Sequence, residues 1–567
     1  MRAAALVVAL GAGTALAGAG SAAATPAAAA GGVQAAQAGA AQIGAAQAGA
    51  TQAGAAQVGR VAGVAWGTCP DGTLTGVPAD QLKLYSCARY RVPVDHDNAA
   101  LGTIDIALLK RAAKVPAQRI GSLFLNPGGP GGSGLRMPIA GSAYFQPQVL
   151  DRFDLIGFDP RGVGDSNPLR CFTTAEDANE VFGAMTPVPL SRGEISTTLS
   201  AYKDYGQFCK NNAGALLNHM STKDVVRDLD QLRAAVGDQK LTYVGFSYGT
   251  LIGSTYAAMF PKQARAIVID GNVDPQLRTT DGVTYDLQRA QGFEISLDGF
   301  LKRCDQAGDR CAFSSGDPRA KFDELRAYLK DQPVKLPGGQ SLDINGFTGS
   351  VSSALYSPAG FGYLAEDLQT LYDAIHPAGA QPQSPQSHAA VSHGLKTLAS
   401  GKSGLADLAP DSPYTSDDSY FGVNCADKPM AISQAQVPGI AGKADRQSPT
   451  FGRYQVFSDI AACPVWPSAK KSDRYSGPWH ANTDVPVLVV SNFYDPATQY
   501  AFGKSMAAEL GNSRLLSVDS FGHCILGDAL GVDQAAADYL IDLKVPAEGQ
   551  VFQPNTQPFE APAAARG

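Results

Sequence analysis

The hydrophobic positions of this chain follow two periods that alternate along the sequence. Short apolar runs closed by turn-forming residues predict strands, and apolar positions spaced three to four residues apart predict helices. The strands predicted in the first half are 103–109, 121–126, 153–159, 241–245 and 266–271. Helices are predicted at 223–236, which Gly237 ends, and from Thr250 to Phe260. This alternation predicts βαβ units and a largely parallel sheet.

The alternating pattern is interrupted over residues 276–470 and then resumes. Helical segments and Pro/Ser/Gly-rich stretches fill this interval, and strand-like runs return at 485–491 and 514–518. We therefore expect one sheet-forming unit built from 64–275 and 471–567, with 276–470 as an inserted, largely helical domain above it.

The N-terminal residues predict export from the cell. Residues 1–25 combine Arg2, an apolar run and small residues before a cleavage point, as a signal peptide does. Residues 26–63 are low in complexity, with a Gln every five residues from Gln37 to Gln57, and predict a flexible arm or a removable pro-segment. No later segment holds 18 continuous apolar residues, so we expect a secreted protein without stable membrane insertion.

The net charge and the amino-acid composition of the chain limit the classes of molecule that it can bind. The 567 residues carry a formal net charge of −7, and 44% of them are hydrophobic, enough for a large core. No run of Lys and Arg exceeds two residues, which argues against a nucleic-acid partner.

The nine cysteines fit an oxidising compartment. Sequence neighbours suggest the pairs 69–87, 171–209, 304–311 and 425–463, which leaves Cys524 unpaired. Zinc is the competing interpretation, but no CxxC pair or Cys/His cluster with zinc-like spacing occurs. We expect disulfides, no metal and no other cofactor.

Ser247 lies in the sequence Gly245-Phe246-Ser247-Tyr248-Gly249, a G-x-S-x-G motif. In a chain with 62 glycines the motif alone is weak, and an ordinary glycine bend is the alternative. Its setting is more specific, because a predicted strand precedes it and a predicted helix follows. In α/β-hydrolases this turn presents a nucleophilic serine.

Candidates for the histidine and acid of a catalytic triad follow Ser247 in the order that this fold requires. His523 comes after a predicted strand, whereas His376, His388, His393 and His480 lie in the insertion or before the returning strands. Asp495 ends the preceding strand and can orient the imidazole. Asp519 lies too close to His523 in sequence, and Asp484 lies at the wrong end of its strand.

Two backbone N–H groups are expected to form an oxyanion hole. One belongs to Tyr248, the residue after the nucleophile. The other is assigned to Gly128, in the glycine-rich loop of residues 126–132 that follows an early strand. A phosphate-binding loop is the alternative, but the run matches neither nucleotide motif.

Three motifs in this order resemble the tripeptidyl aminopeptidases secreted by actinomycetes, which are related to prolyl aminopeptidases. They are LNPGGPGGSG, FDLIGFDPRGVGDS and YVGFSYGT, and the likeness extends through VNCADKP and CPVWP to Gly522-His523. It covers residues 64–530 and is far more specific than G-x-S-x-G alone.

The resemblance implies an α/β-hydrolase that releases short peptides, tripeptides among them, from free N-termini through an acyl-enzyme. It also implies a helical cap over Ser247, with a carboxylate that binds the substrate ammonium; Asp427 and Glu294 are the candidates. An esterase or amidase of the same fold and a prolyl aminopeptidase-like enzyme remain alternatives. A non-catalytic binding protein is a further alternative function.

Overall fold

The structure is a computed structural model that describes residues 63–336, 341–376, 411–468 and 473–560. The predicted signal peptide lies outside the described residues, and so does the predicted arm apart from Gly63. His388 and His393 lie outside them as well.

Nine strands form one twisted sheet, and two more form a small separate hairpin. The strands are β1 (Tyr85–Pro93), β2 (Thr103–Arg111), β3 (Gly121–Asn126), β4 (Phe153–Phe158), β5 (Leu241–Phe246), β6 (Ala264–Asp270), β7 (Val334–Lys335), β8 (Ser341–Leu342), β9 (Val487–Tyr494), β10 (Ser513–Phe521) and β11 (Val551–Phe552). The order in the main sheet is β1-β2-β4-β3-β5-β6-β9-β10-β11. The pairs β1–β2 and β2–β4 are antiparallel, and the other six pairs are parallel.

The parallel strands are buried on both faces, which explains their continuous apolar sequences. Every residue of β3 and β5 is buried. Along β5, Tyr243 packs into the hydrophobic core on one face, whereas Val244 and Phe246 pack into the core on the other. The sequence pattern did not predict β1, because this edge strand is half-exposed over most of its length and carries little hydrophobic signal.

Helices cover both faces of the sheet. The α-helices in the described residues are Gly141–Tyr144, Pro147–Arg152, Ala175–Gly183, Arg192–Asn212, Thr222–Ala235, Gly249–Met259, Pro275–Thr280, Gly282–Ala307, Pro318–Asp331, Ile344–Ala354, Phe361–Ile375, Ser419–Asp427, Val437–Gln447, Gly452–Gln455, Tyr500–Leu510 and Leu530–Asp542. The helices Thr222–Ala235, Gly249–Met259 and Tyr500–Leu510 contribute to the core on one face. Pro147–Arg152 and Leu530–Asp542 contribute to the core on the other.

The chain between β6 and β9 adds no described strand to the main sheet. Its first part forms most of a separate hydrophobic core, in which Phe293, Phe322, Phe347 and Leu368 are buried and which Phe521 of β10 joins. Its later part packs instead against a core of the sheet, with Val423, Val437, Phe457 and Trp466 among the contributing residues. The boundaries at 276 and 470 stay a prediction, and the interval consists of two differently packed parts.

Four disulfides join the predicted cysteine pairs: Cys69–Cys87, Cys171–Cys209, Cys304–Cys311 and Cys425–Cys463. Cys524 has a free thiol, as predicted. Within the part of the chain that the structure describes, no helix has both the length and the apolar character needed to cross a membrane.

Candidate active site

Ser247 lies between the end of β5 and the helix Gly249–Met259, with a left-handed backbone φ of 56°. The two motif glycines make this turn possible. A Cβ atom on Gly245 would lie 2.3 Å from the Gly249 carbonyl oxygen, and one on Gly249 would lie 2.8 Å from Asn126 Oδ1. The Ser247 N–H donates to the Asp270 carbonyl oxygen at 2.8 Å, which fixes the turn to the end of β6.

Asp495 and His523 meet at the carboxyl edge of the sheet, because β9 and β10 are adjacent and parallel. His523 Nδ1 lies 3.0 Å from Asp495 Oδ1 and 2.9 Å from Oδ2. Asp495 is buried and also accepts the N–H groups of Ala497 and Thr498 and the Thr498 hydroxyl. A carboxylate in this position keeps the Nδ1 proton in place and leaves Nε2 free to act as a base.

The imidazole lies beside the turn that holds Ser247. A Cβ atom on Gly271, the residue after Asp270, would lie 3.2 Å from His523 Cε1. His523 Nε2 is buried and has no hydrogen-bond partner among the described residues. The structure therefore places the Asp495–His523 pair next to the backbone that follows Asp270, to which the Ser247 N–H bonds.

The other acids and histidines considered from the sequence lie elsewhere. Asp484 is exposed and pairs with Lys240, and Asp519 makes no hydrogen bond to His523. His376 pairs with Glu324 at the surface, and His480 is exposed.

Gly128, the predicted second oxyanion donor, lies against Ser247 with a left-handed φ of 92°. A Cβ atom there would lie 2.7 Å from Ser247 Cβ and 3.0 Å from the Tyr248 nitrogen. Its N–H, however, donates to Asn126 Oδ1 at 2.9 Å. The loop is in the right place for an oxyanion hole, but the assigned donor already has a partner. The Tyr248 nitrogen lies at the N-terminus of a helix, where the dipole favours negative charge.

Asp427, the first candidate for the substrate ammonium, bonds to the protein instead. Both of its carboxylate oxygens accept from Thr222, one from the N–H and one from the hydroxyl. These bonds hold the start of the helix Thr222–Ala235. Burial raises the pKa of Asp427, and Arg278 is the largest opposing influence. The structure thus gives Asp427 a structural role.

Glu294, the second candidate, is also committed to backbone groups. Its Oε1 accepts the N–H groups of Thr450 and Phe451, just before the helix Gly452–Gln455. Burial raises its pKa, and these two N–H groups oppose the rise. The structure thus shows which protein groups both carboxylates contact, and their assignment to the substrate ammonium stays a prediction.

Two residues that the sequence did not single out contact the histidine loop. The Tyr356 ring packs edge-on against the His523 ring at 5.3 Å between centroids, and its carbonyl accepts the His523 N–H at 2.9 Å. Asp270 accepts N–H groups from Ile525 and Leu526. Tyr356 carries no motif that could have revealed it. One sequence feature could have indicated Asp270, namely a charged residue at the end of an apolar strand.

A buried group of charges lies within the inserted chain. Lys428 bonds to Asp286, and Arg289 bonds to Asp459, with all four side chains largely or fully buried. The Tyr420 hydroxyl donates to Asp459. Tyr420 in turn lies beside the glycine-rich loop, since a Cβ atom on Gly131 would approach its backbone at 3.3 Å. No cluster of described residues has the composition of a metal site.

Comparison with known proteins decides the family. Residues 121–310 match the family described as α/β hydrolase fold, and residues 448–552 match the family described as TAP-like protein. Serine protease Hip1 of Mycobacterium tuberculosis is 31% identical over 480 residues, which cover 82% of this chain and 86% of that protein. The chain belongs to this α/β-hydrolase family.

Other members of the family carry different descriptions. Tripeptidyl aminopeptidase of Streptomyces lividans is 29% identical over 493 residues and 82% of each chain, which confirms the likeness predicted from the motifs. Carboxylesterase B of M. tuberculosis is 31% identical over 500 residues, 85% of this chain and 88% of that one.

Among solved structures, a proline iminopeptidase from Mycobacterium smegmatis is 13% identical with a TM-score of 0.32, over 80% of this chain and 99% of that chain. Membership of the family makes the chain a serine hydrolase.

Proposed function

We propose that this serine hydrolase is an exported peptidase that releases short peptides, tripeptides foremost, from free N-termini through an acyl-enzyme on Ser247. The observation that carries the proposal is the pairing of His523 with Asp495 beside the Ser247 turn. The family likeness to a tripeptidyl aminopeptidase supports the choice of substrate.

In the proposed reaction, Ser247 Oγ attacks the carbonyl carbon of the scissile peptide while its proton passes to His523 Nε2. His523 then gives this proton to the leaving nitrogen, the C–N bond breaks, and an ester to Ser247 remains. Water attacks this ester with His523 again as base, which releases the N-terminal peptide and restores the serine. Asp495 orients the imidazole and stabilises its charged form.

The oxyanion of each tetrahedral intermediate is proposed to bind the Tyr248 N–H, at the start of the helix Gly249–Met259. Gly128 can supply the second N–H only by sharing it with Asn126 Oδ1 or turning it away. The free-amine requirement rests on the family likeness, with Asp427 and Glu294 as the proposed carboxylates for the ammonium. Both Asp427 oxygens and Glu294 Oε1 also accept hydrogen bonds from the protein.

Cleavage of Ala-Ala-Pro-type anilides with free and with acetylated N-termini tests the substrate class. We expect the free form to react and the acetylated form to be cleaved at least about tenfold more slowly, because loss of one buried charge contact costs more than 1 kcal/mol. Equal cleavage of both forms would refute the aminopeptidase proposal.

An esterase is the second candidate, because Carboxylesterase B covers most of the chain at similar identity. A p-nitrophenyl ester series included in the same assay decides between them. Ester turnover with no peptide cleavage favours the esterase, and mass spectrometry of peptide products measures how many residues each cut removes.

Ser247→Ala tests the nucleophile itself. We expect loss of nearly all turnover and of labelling by a fluorophosphonate, because the alcohol that forms the acyl-enzyme is absent. Ser254→Ala is the matched control, since Ser254 is buried in the helix that follows and its hydroxyl bonds only to Leu251. Labelling that persists in Ser247→Ala and disappears in Ser254→Ala would contradict the assignment.

Export is tested by expressing the full chain in an actinomycete and sequencing the N-terminus of protein recovered from the medium. The proposal expects the chain outside the cells, without residues 1–25. Recovery of an intact Met1 from the cell interior would contradict it.

A further inference from the structure

Asp270 connects the nucleophile turn to the histidine loop. It is the last residue of β6, which lies between β5 and β9 in the sheet. Its carbonyl oxygen accepts the Ser247 N–H at 2.8 Å. Its carboxylate Oδ2 accepts the N–H groups of Ile525 and Leu526 at 2.8 and 2.9 Å. One residue thus fixes the backbone of both partners in the proposed proton transfer.

The burial of this carboxylate is unusual for a purely structural residue. Asp270 is 0% exposed, and its second oxygen, Oδ1, has no hydrogen-bond partner among the described residues. A buried carboxylate with an unpaired oxygen is costly, and such groups concentrate at functional sites. If Asp270 only anchored the loop, a neutral acceptor would do so at a smaller cost.

The charged and titratable groups that face Asp270 are few. Asp495 follows β9, and His523 and Cys524 follow β10. Burial raises the pKa of Asp270 to about 7; the bonds from Ile525 and Leu526 oppose this rise, Asp495 adds to it, and His523 opposes it. Burial raises the pKa of the Cys524 thiol well above its usual value, so this neighbour stays neutral. Among these described neighbours of Asp270, His523 is the group that can become a cation.

We infer that Asp270 is a positioning residue for His523: its carboxylate fixes the backbone after the histidine, and its charge favours the imidazolium that forms when Ser247 is deprotonated. The inference rests on the proposed roles of Ser247 and His523. Asp270 neither gives nor takes a proton in the reaction, because the proton moves only between Ser247 Oγ, His523 Nε2 and the leaving group. Asp495 holds the imidazole directly, and Asp270 acts through the loop and through space.

Asp270→Asn separates the charge from the anchoring. The amide oxygen of Asn can still accept the N–H groups of Ile525 and Leu526, so the loop should keep its position while the charge is lost. Asp533→Asn is the matched control. Asp533 is buried and accepts the Gly527 N–H at 2.8 Å in the same loop, but His523 is not among the groups that influence it.

The test measures fluorophosphonate labelling of Ser247 and hydrolysis of a p-nitrophenyl ester from pH 5 to 9. For Asp270→Asn we expect kcat above about pH 7, where the wild-type carboxylate is charged, to fall about tenfold with KM unchanged. This displacement of the profile follows from the loss of an anion that stabilises the imidazolium, and the two profiles should converge below about pH 7, where Asp270 of the wild type carries a proton. Asp533→Asn should follow the wild-type profile.

Other results would contradict either the inference or the proposed function. An Asp270→Asn profile that coincides with the wild type overturns the inference, and so does an equal displacement in Asp533→Asn, which would show a merely structural effect. Wild-type protein that the fluorophosphonate does not label refutes the proposed function instead. If Asp270→Asn does not fold, Asp270→Ser, a smaller neutral acceptor, gives the same comparison against Asp533→Ser.

Discussion

At the scale of single residues, steric contacts around Ser247 explain the glycines of this site. Gly128 has a left-handed φ and also contacts Ser247, so both its backbone conformation and the lack of space exclude a side chain there. Gly72 has a similar φ of 82°, but a Cβ atom on it would meet nothing within 4 Å. A substitution of Gly72 therefore measures backbone strain alone, whereas a substitution of Gly128 adds a steric clash with Ser247.

Gly128→Ala should abolish ester turnover and lower stability, because the methyl group would lie 2.4 Å from the Phe246 carbonyl oxygen. Gly72→Ala should lower the free energy of unfolding only by the cost of backbone strain, about 1–2 kcal/mol, and should keep full activity. Turnover and urea denaturation of both variants measure the two effects. Full activity in Gly128→Ala would show that the loop moves freely and would contradict the assignment.

The pKa of Asp270 makes a prediction about stability that is independent of activity. Burial raises this pKa to about 7 in the folded protein, against about 3.9 in an unfolded chain. The folded state therefore binds the proton more tightly, and the wild-type free energy of unfolding loses a contribution as the pH rises from about 4 to about 7. Above about pH 7 this contribution is fully lost, and Asp270 no longer changes the free energy of unfolding with pH.

Asp270→Asn lacks this titration. The unfolding free energy of the variant minus that of the wild type should therefore increase with pH across the same window and then level off. Urea denaturation at several pH values measures the difference, in which the contributions of all other groups cancel. A difference that does not change with pH would show that the carboxyl group does not titrate there.

At the scale of elements, close packing of the helix Tyr500–Leu510 on β9 supports the strand that leads to Asp495. Gly503 makes this approach possible, since a Cβ atom there would lie 2.0 Å from Ser491 Oγ on the strand. Helix propensity alone would favour Ala at this position. The contact with the strand therefore outweighs the local preference of the helix.

Gly503→Ala should destabilise the protein by about 1–3 kcal/mol, as expected for overpacking. Gly349→Ala is its control, because Gly349 lies within the helix Ile344–Ala354 and a Cβ atom there would meet nothing within 4 Å. That change should stabilise the protein by about 0.5–1 kcal/mol. Thermal unfolding of both variants provides the measurement, and destabilisation of equal size in the two would contradict the packing argument.

At the scale of the whole molecule, buried charges join distant segments of the inserted chain to each other. Lys428 donates two hydrogen bonds to Asp286, at 3.0 and 2.8 Å, and both side chains are 0% exposed. Asp286 belongs to the helix Gly282–Ala307, and Lys428 follows the helix Ser419–Asp427. The pair thus joins segments that are far apart in sequence.

Lys428→Met should cost about 3–5 kcal/mol, because it leaves the Asp286 carboxylate buried without its main partner. Adding Asp286→Asn should recover a large part of this loss. Lys240→Met, which breaks the exposed pair with Asp484, should cost at most about 1 kcal/mol. Chemical denaturation of the three variants and the wild type tests the comparison, and a Lys428→Met protein as stable as the wild type would refute it.

Prediction from the sequence succeeded where the information is local. The G-x-S-x-G turn predicts the position of Ser247 because strand, glycines and helix are consecutive. The cysteine pairs are sequence neighbours, and each neighbouring pair is joined. Asp495 and His523 lie together because adjacent parallel strands bring their carboxyl ends to one edge, and their catalytic roles stay a prediction. The protein partners of Asp427 and Glu294 could not be predicted, because the local sequence of a carboxylate does not reveal its partners.

The sequence by itself determined the alternation of strands and helices, the serine turn, the order of the triad residues and the cysteine pairs, since periodicity and short-range sterics act between near neighbours. Only the tertiary structure decided that Asp270 holds the loop after His523, that Tyr356 packs on its ring and that Asn126 occupies the Gly128 N–H. The physical reason is that burial can be inferred from the pattern along a strand, whereas the partner of a buried polar group comes from a distant part of the chain.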